Sequence, residues 1–105
     1  METNIAMVKG DTFSFGLEFE ELEQDLDTAY LTVKESYDDD TQIFQKSIGD
    51  GITKVDTGEY TVRIAPEDTQ NIEARRYYYD LQVGVNSDVF TILRGILWVK
   101  NSVTE

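Results

Sequence analysis

Histidine and cysteine are both absent from this chain of 105 residues, and proline occurs once. Nucleophilic catalysis through serine or cysteine needs a base to remove a proton, and histidine is the usual base. Lysine is an alternative base, but Lys9, Lys34, Lys46 and Lys54 lie in polar or turn contexts and none belongs to a serine motif. The sequence therefore predicts no enzyme, no catalytic residue and no small-molecule substrate. The missing cysteines also exclude disulfides.

Long apolar runs are missing as well. The longest, residues 96–99, has the length of a strand, whereas a membrane helix needs about 20 apolar residues. Residues 1–20 contain no basic segment followed by an apolar block, which argues against a secretory signal. No repeat, linker or change in composition divides the chain. We therefore expect a single domain over residues 1–105 that is made in the cytoplasm and has no membrane partner.

Acidic residues outnumber basic ones by 21 to 9, which gives a net charge of −12. The imbalance is concentrated in residues 1–58, where 14 acidic residues accompany 4 basic ones. Such a field repels nucleic acid, so we expect no nucleic-acid partner. The charge favours solubility, and three more specific interpretations stay open: a basic partner surface, a cation site or mimicry of DNA.

Two acidic segments are candidates for binding a cation. The aspartates at 38–40 and the acidic residues between 18 and 27 carry the oxygen ligands that calcium prefers. Their spacing is not that of an EF-hand loop, and adjacent aspartates in a turn more often point into solvent. We therefore expect no metal and no cofactor. Whether segment 18–27 binds a cation or a basic partner is left open.

Short runs of alternating apolar and polar residues predict β-strands along the whole chain. Phe13, Phe15, Leu17 and Phe19 alternate with polar or small residues, a period of two that places them on one buried face. The pattern predicts an all-β fold, an immunoglobulin-like antiparallel β-sandwich of seven or eight short strands, with a barrel as the alternative. The expected strands are 3–8, 13–20, 28–37, 42–48, 52–55, 59–64, 77–85 and 89–99, with a helical turn after Pro66.

The last two predicted strands are the richest in aromatic and β-branched residues. They are joined by residues 86–88 (Asn-Ser-Asp), which predicts a β-hairpin with a three-residue turn. The segment before them, 66–79, resembles the corner of an immunoglobulin-like domain, where a tyrosine pins the turn. Tyr77 or Tyr79 is the candidate pin, and the alternative is that both are core or cross-strand residues.

The same region supplies the candidate interface residues, which are Trp98, Tyr78, Tyr77, Arg75 and Arg76. Tryptophan is favoured at the energetic centre of interfaces, and the alternative for Trp98 is a partly buried core position. Basic residues beside aromatics are also typical of single-strand nucleic-acid sites, but two arginines are few against a net charge of −12. The alternative for the arginines is an exposed corner loop or local pairing with Glu73 and Asp80.

Several turn and strand motifs together resemble a known group of proteins. They are Lys-Gly-Asp-Thr at 9–12, Gly-Ile-Thr at 51–53, Gly58, Ala-Pro-Glu-Asp-Thr at 65–69, Tyr-Asp-Leu-Gln-Val at 79–83, Phe-Thr-Ile-Leu-Arg-Gly at 90–95 and Val-Thr at 103–104. In these the chain resembles small phage and prophage structural domains, and the nearest is the immunoglobulin-like N-terminal domain of phage baseplate upper proteins. The resemblance covers nearly the whole chain and implies no catalytic residue. The dense acidic segment 18–27 departs from it, and we expect no receptor-binding or collagen-like extension after the domain, which would be a second departure.

The resemblance implies a virion or tail-associated structural protein, made in the cytoplasm of a host bacterium. Such a protein acts in assembly through contacts with other phage structural proteins, and a homo-oligomer, such as a symmetric ring, is one form this could take. Two alternatives remain. One is an acidic inhibitor or DNA mimic that binds a basic protein, and the other is a carbohydrate-binding or adhesin-like sandwich.

Overall fold

The computed structural model describes residues 2–20 and 24–101, which form eight β-strands and one short helix. In chain order these are β1 (Ile5–Val8), β2 (Phe13–Glu18), β3 (Thr28–Lys34), β4 (Gln42–Ile48), β5 (Gly51–Asp56), β6 (Glu59–Ile64), α1 (Pro66–Thr69), β7 (Arg76–Val85) and β8 (Asp88–Lys100). The predicted all-β class is confirmed, and every predicted strand is present. In the described part of the chain, no helix is long enough to cross a membrane.

The strands form one hydrogen-bonded sheet in the order β1-β8-β7-β3-β4-β5-β6-β2. Its narrowest point is between β4 and β5, where only Ser47 with Gly51 and Ile48 with Ile52 are paired. The sheet folds over there, so that five strands (β1, β8, β7, β3, β4) pack on three (β5, β6, β2) around one core. Because β1 and β2 end the order but follow each other in the chain, the sheet is nearly closed.

This grouping of strands is that of an immunoglobulin-like sandwich. In such folds the strands equivalent to β2, β5 and β6 face those equivalent to β3, β7 and β8. Two strand pairs, β1 with β8 and β4 with β5, are parallel rather than antiparallel. The alternation of apolar and polar residues did not indicate this, because it reports which face is buried and carries no information on strand direction.

The core lies between the two layers, and its largest fully buried aliphatic side chains come from both. They are Leu31, Val33, Ile52, Val62, Ile64, Leu81, Leu97 and Val99. In β2 the predicted apolar face also points inward, but Phe13, Phe15 and Leu17 are only half-buried. The reason is position: β2 lies at the end of the strand order and is hydrogen-bonded on one side only, to β6.

Two tyrosine hydroxyls hold the chain around the start of β7. Tyr77 donates a hydrogen bond to the carbonyl oxygen of Glu73, 2.7 Å away and four residues earlier. This is the geometry of a tyrosine corner, so Tyr77 is the pin. Tyr79 donates instead to the carbonyl oxygen of Thr3 at 2.5 Å, which ties the segment before β1 to the sheet. Burial raises the pKa of both phenols above the ordinary value.

The hairpin between β7 and β8 has a shorter turn than predicted. Val85 pairs with Asp88, which leaves Asn86 and Ser87 as a two-residue turn. Both have positive φ, 54° and 70° respectively, as a type I′ turn requires. Asp88 therefore belongs to the strand, because the twist of this turn matches the twist of the flanking strands and lets pairing continue to its edge.

Candidate interaction surface

The outer face of β3, β7 and β8 is basic, although the whole chain is strongly acidic. Buried residues alternate with outward ones in β3, in β7 as far as Val83 and in β8 from Arg94 onward. The outward charged residues are Lys34, Arg76, Arg94 and Lys100, together with the acidic Asp80; Asp88, the other acidic residue of these strands, lies at the turn opposite Val85. We call this surface the basic face. A chain with a net charge of −12 therefore presents one sheet face whose own charge is positive.

Trp98 lies on the basic face, beside β1, with 41% of its surface exposed. The Cζ atom of Arg76 and the Nζ atom of Lys100 each lie 4.7 Å from the centroid of the Trp98 ring. Arg76 is directly opposite Trp98 in the β7–β8 register. Neither cation forms an ion pair with any residue of 2–20 or 24–101. We call these three residues the Trp98 cluster, a large aromatic side chain flanked by two unneutralised positive charges.

A second aromatic group lies further along the basic face. The rings of Tyr37 and Tyr78 are 4.8 Å apart between centroids, and the Cζ atom of Arg94 lies 4.4 Å from the centroid of Tyr37. Tyr37 follows the end of β3 and donates a hydrogen bond to the carbonyl oxygen of Gly95 at 3.2 Å. Reasoning from the sequence missed Tyr37, because it lies in a loop and meets β8 only through the tertiary fold.

The structure separates the five predicted interface residues. It brings Trp98, Tyr78 and Arg76 together on the basic face. Tyr77 points the other way, into the core, and is only 2% exposed, so it is not part of the surface. Arg75 is exposed beside the corner, where its Nη1 atom lies 3.5 Å from Oε1 of Glu35, a partner that was not among the predicted ones.

The outer face of the other layer carries a shallow cleft of about 420 Å³. Its floor is at Gly16 on β2, and Val55 on its rim is 63% exposed. Glu18 and Glu59 line it and lie directly opposite each other in the β2–β6 register. Like charges in this position are destabilising, and neither carboxylate is ion-paired with a described residue. We call this surface the Gly16 cleft.

A larger and more apolar cleft of about 570 Å³ opens at the β7–β8 turn, lined mainly by Phe19, Leu26, Val85, Phe90 and Ile92. Glu20 is also on its rim and immediately precedes residues 21–23, which lie outside the described part of the chain.

The two acidic segments do not assemble a metal centre in the part of the chain that is described. Within residues 2–20 and 24–101, no three carboxylates come together in a way that suits a metal ion. Residues 21–23 of segment 18–27 lie outside these ranges. Asp25 of the same segment instead pairs with Lys54, with 2.7 Å between Oδ1 and Nζ, and this hydrogen bond raises the pKa of Lys54.

Comparison with known proteins does not assign this chain to a family. The sequence matches no protein-family model and has no significant match among curated proteins. The resemblance to phage structural domains therefore stays a prediction from the turn motifs.

Proposed function

We propose that this chain is a non-catalytic structural protein that binds an acidic protein surface through its basic face, with the Trp98 cluster as the anchor. The observation that carries the proposal is the exposed ring of Trp98 between Arg76 and Lys100, neither of which is neutralised by a described carboxylate. Tryptophan and arginine are the residues most enriched where binding energy is concentrated in protein interfaces.

The position of the cluster supports this role. Trp98 and Arg76 lie on paired strands and hold each other through a cation–π contact, so little conformational entropy is lost when a partner binds. The flanking charges select a partner, because a carboxylate gains from them and another basic surface is repelled. The rest of the chain is acidic, and its net negative charge keeps the protein soluble.

We place this activity in the assembly of a phage or prophage virion, in its tail or baseplate. The support is the series of turn motifs together with the strand grouping and the Tyr77 corner, which such an immunoglobulin-like domain would have. The fold alone does not select this setting, because β-sandwiches carry many unrelated functions. The motifs and the basic face together are what favour it over the carbohydrate-binding alternative.

The test is peptide mass spectrometry on density-purified particles induced from the source strain, with the wild-type chain and a Trp98→Ala variant compared. Wild-type protein should be present at a stoichiometry comparable to known tail or capsid proteins. Trp98→Ala should be reduced in particles while its level in the induced cell is unchanged. An Ile48→Ala variant, which truncates an apolar side chain that is also 41% exposed but lies on β4, outside the basic face, is the matched control and should be incorporated normally.

Absence of the wild-type chain from intact particles, despite expression, would overturn the virion setting. The alternative of an acidic inhibitor would then lead, and it predicts salt-sensitive capture of a basic protein through carboxylates rather than through Trp98. Equal incorporation of wild type and Trp98→Ala would overturn the assignment of the anchor.

A further inference from the structure

We propose that the acidic surface bound by the Trp98 cluster is the Gly16 cleft of a second copy of this chain, so that copies associate head to tail. This inference rests on the proposed function and names the partner. Its basis is that one chain carries two surfaces of opposite charge that complement each other, on opposite layers of the sandwich.

The charges of the two surfaces are equal in number and opposite in sign. The Trp98 cluster presents two cations without an ion-pair partner among the described residues, Arg76 and Lys100. The Gly16 cleft presents two carboxylates, those of Glu18 and Glu59, which also have no ion-pair partner among the described residues. Because these carboxylates face each other across β2 and β6, an incoming cation relieves a repulsion that the single chain retains.

The shapes also correspond. Gly16 has no side chain, and a Cβ atom built on it would have only the Tyr60 carbonyl oxygen nearby, at 3.9 Å, so the strand is open to solvent there. The cleft volume of about 420 Å³ falls in the range of small-ligand sites, which leaves room for an indole ring. The exposed side chain of Val55 forms an apolar rim against which Trp98 would pack.

Net charge does not prevent this contact at physiological salt. Two chains of −12 repel each other at long range, but the Debye length at about 0.15 M is about 8 Å, so distant charges are screened while those in contact still attract. High salt should weaken the contact, because it also screens the pairs of the interface.

The symmetry follows from the positions of the surfaces. A contact between two different surfaces is heterologous, and a copy that has docked still offers one free Trp98 cluster and one free Gly16 cleft. Association therefore continues past the dimer, into a ring if the rotation closes and into a filament if it does not.

The test is sedimentation velocity of the full chain over a wide concentration range, at about 0.15 M and at about 1 M salt. We expect species larger than a dimer that grow with concentration and diminish at high salt. Trp98→Ala should weaken association by about thirtyfold or more, the effect of removing an interface anchor. Glu18→Lys/Glu59→Lys should do the same from the other surface, and Ile48→Ala, which lies outside both surfaces, should behave as wild type.

Mixing the two defective proteins gives the decisive result. Trp98→Ala keeps an intact cleft and Glu18→Lys/Glu59→Lys keeps an intact cluster, so an equimolar mixture should form a 1:1 heterodimer and nothing larger. Association of the cleft variant with itself would overturn the inference, because it would show that the Trp98 clusters meet face to face. Circular dichroism of each variant establishes that it is folded, and the two variants probe the contact independently.

The outcome is separable from that of the proposed function. A wild-type chain that stays monomeric at every concentration overturns the head-to-tail contact. If Trp98→Ala is still lost from particles, the proposed function stands with a different acidic protein as the partner. Self-association of a chain that is absent from particles overturns the virion setting only.

Discussion

The Nζ atom of Lys46 and the Oδ2 atom of Asp68 lie 2.7 Å apart in the interior, with 10% and 15% of their side chains exposed. Lys46 points inward from β4 and Asp68 belongs to α1, so the ion pair connects strand β4 to the short helix that follows β6. The same carboxylate oxygen also accepts a hydrogen bond from the backbone N–H of Ala65 at 2.7 Å. The sequence suggested that Lys46 lies in a polar context, and the structure shows that it is buried.

Replacing Lys46 by alanine should therefore destabilise the protein. The carboxylate of Asp68 would remain in the interior without its counter-charge, and removing one partner of a buried pair costs about 3 kcal/mol. Urea unfolding followed by tryptophan fluorescence measures the loss. Lys54→Ala is the matched control, because Lys54 and Asp25 are also 2.7 Å apart but on the exposed surface. If both substitutions change stability equally, burial is not what makes the Lys46 pair matter.

Alkaline pH should unfold the protein through its buried tyrosines. Burial is the largest cause that raises the pKa of Tyr77 and Tyr79 in the folded state, whereas in the unfolded chain both phenols have the ordinary pKa of about 10. Above about pH 10 the unfolded chain therefore binds fewer protons than the folded one, and stability falls as pH rises. The stability that the two buried hydroxyls contribute is therefore fully present below about pH 10.

Tyr77→Phe tests this dependence. It should lower stability at neutral pH by about 1 kcal/mol, through the lost hydrogen bond to Glu73, and it should flatten the decline above about pH 10. Urea midpoints measured across this range give the slope. An unchanged slope in Tyr77→Phe would contradict the role of burial.

A methyl group at Gly95 should disrupt the pairing of β1 with β8. A Cβ atom there would collide with the carbonyl oxygen of Thr3 and lie 3.0 Å from Oδ1 of Asn4. We expect Gly95→Ala to lower stability by about 1–3 kcal/mol, as overpacking does. Hydrogen exchange at the N–H of Thr3, which is bonded to the carbonyl of Arg94 at 2.8 Å, should accelerate. Gly16→Ala, in open space, is the control and should leave that exchange rate unchanged.

Ser87→Gly should stabilise the hairpin. Ser87 has a φ of 70°, a conformation that costs a residue with a Cβ atom about 1 kcal/mol and costs glycine very little. After the greater freedom of glycine in the unfolded chain is subtracted, a gain of about 0.5 kcal/mol is expected. The same change at Asn86 should bring less, because asparagine tolerates positive φ well. Thermal unfolding of wild type and the two variants measures these gains as shifts of the unfolding midpoint. A midpoint of Ser87→Gly below that of wild type would contradict the turn assignment.

Local pattern was sufficient to predict the strands. The alternation in β2, β3 and β6, the turn glycines and the aromatic runs of β7 and β8 placed each element within a few residues, because side-chain period and turn chemistry act over a few neighbouring residues. The sequence also indicated a tyrosine corner but left Tyr77 and Tyr79 as alternative pins; the hydrogen bond from Tyr77 to Glu73, which spans only four positions, identifies Tyr77.

Relationships between distant positions were decided by the tertiary structure alone. Three of these relationships join residues far apart in the chain: the parallel pairing of β1 with β8, the buried Lys46–Asp68 pair and the stacking of Tyr37 with Arg94. A fourth, the half-exposure of β2, depends on the position of that strand at the end of the sheet. The same is true of the surfaces. The sequence by itself determined a net charge of −12, but only the packing of two layers placed Arg76 and Lys100 around Trp98 on one face and Glu18 opposite Glu59 on the other. The physical reason is that charge composition is a property of the chain, whereas a charged face exists only after strand pairing has fixed which alternate side chains point outward together.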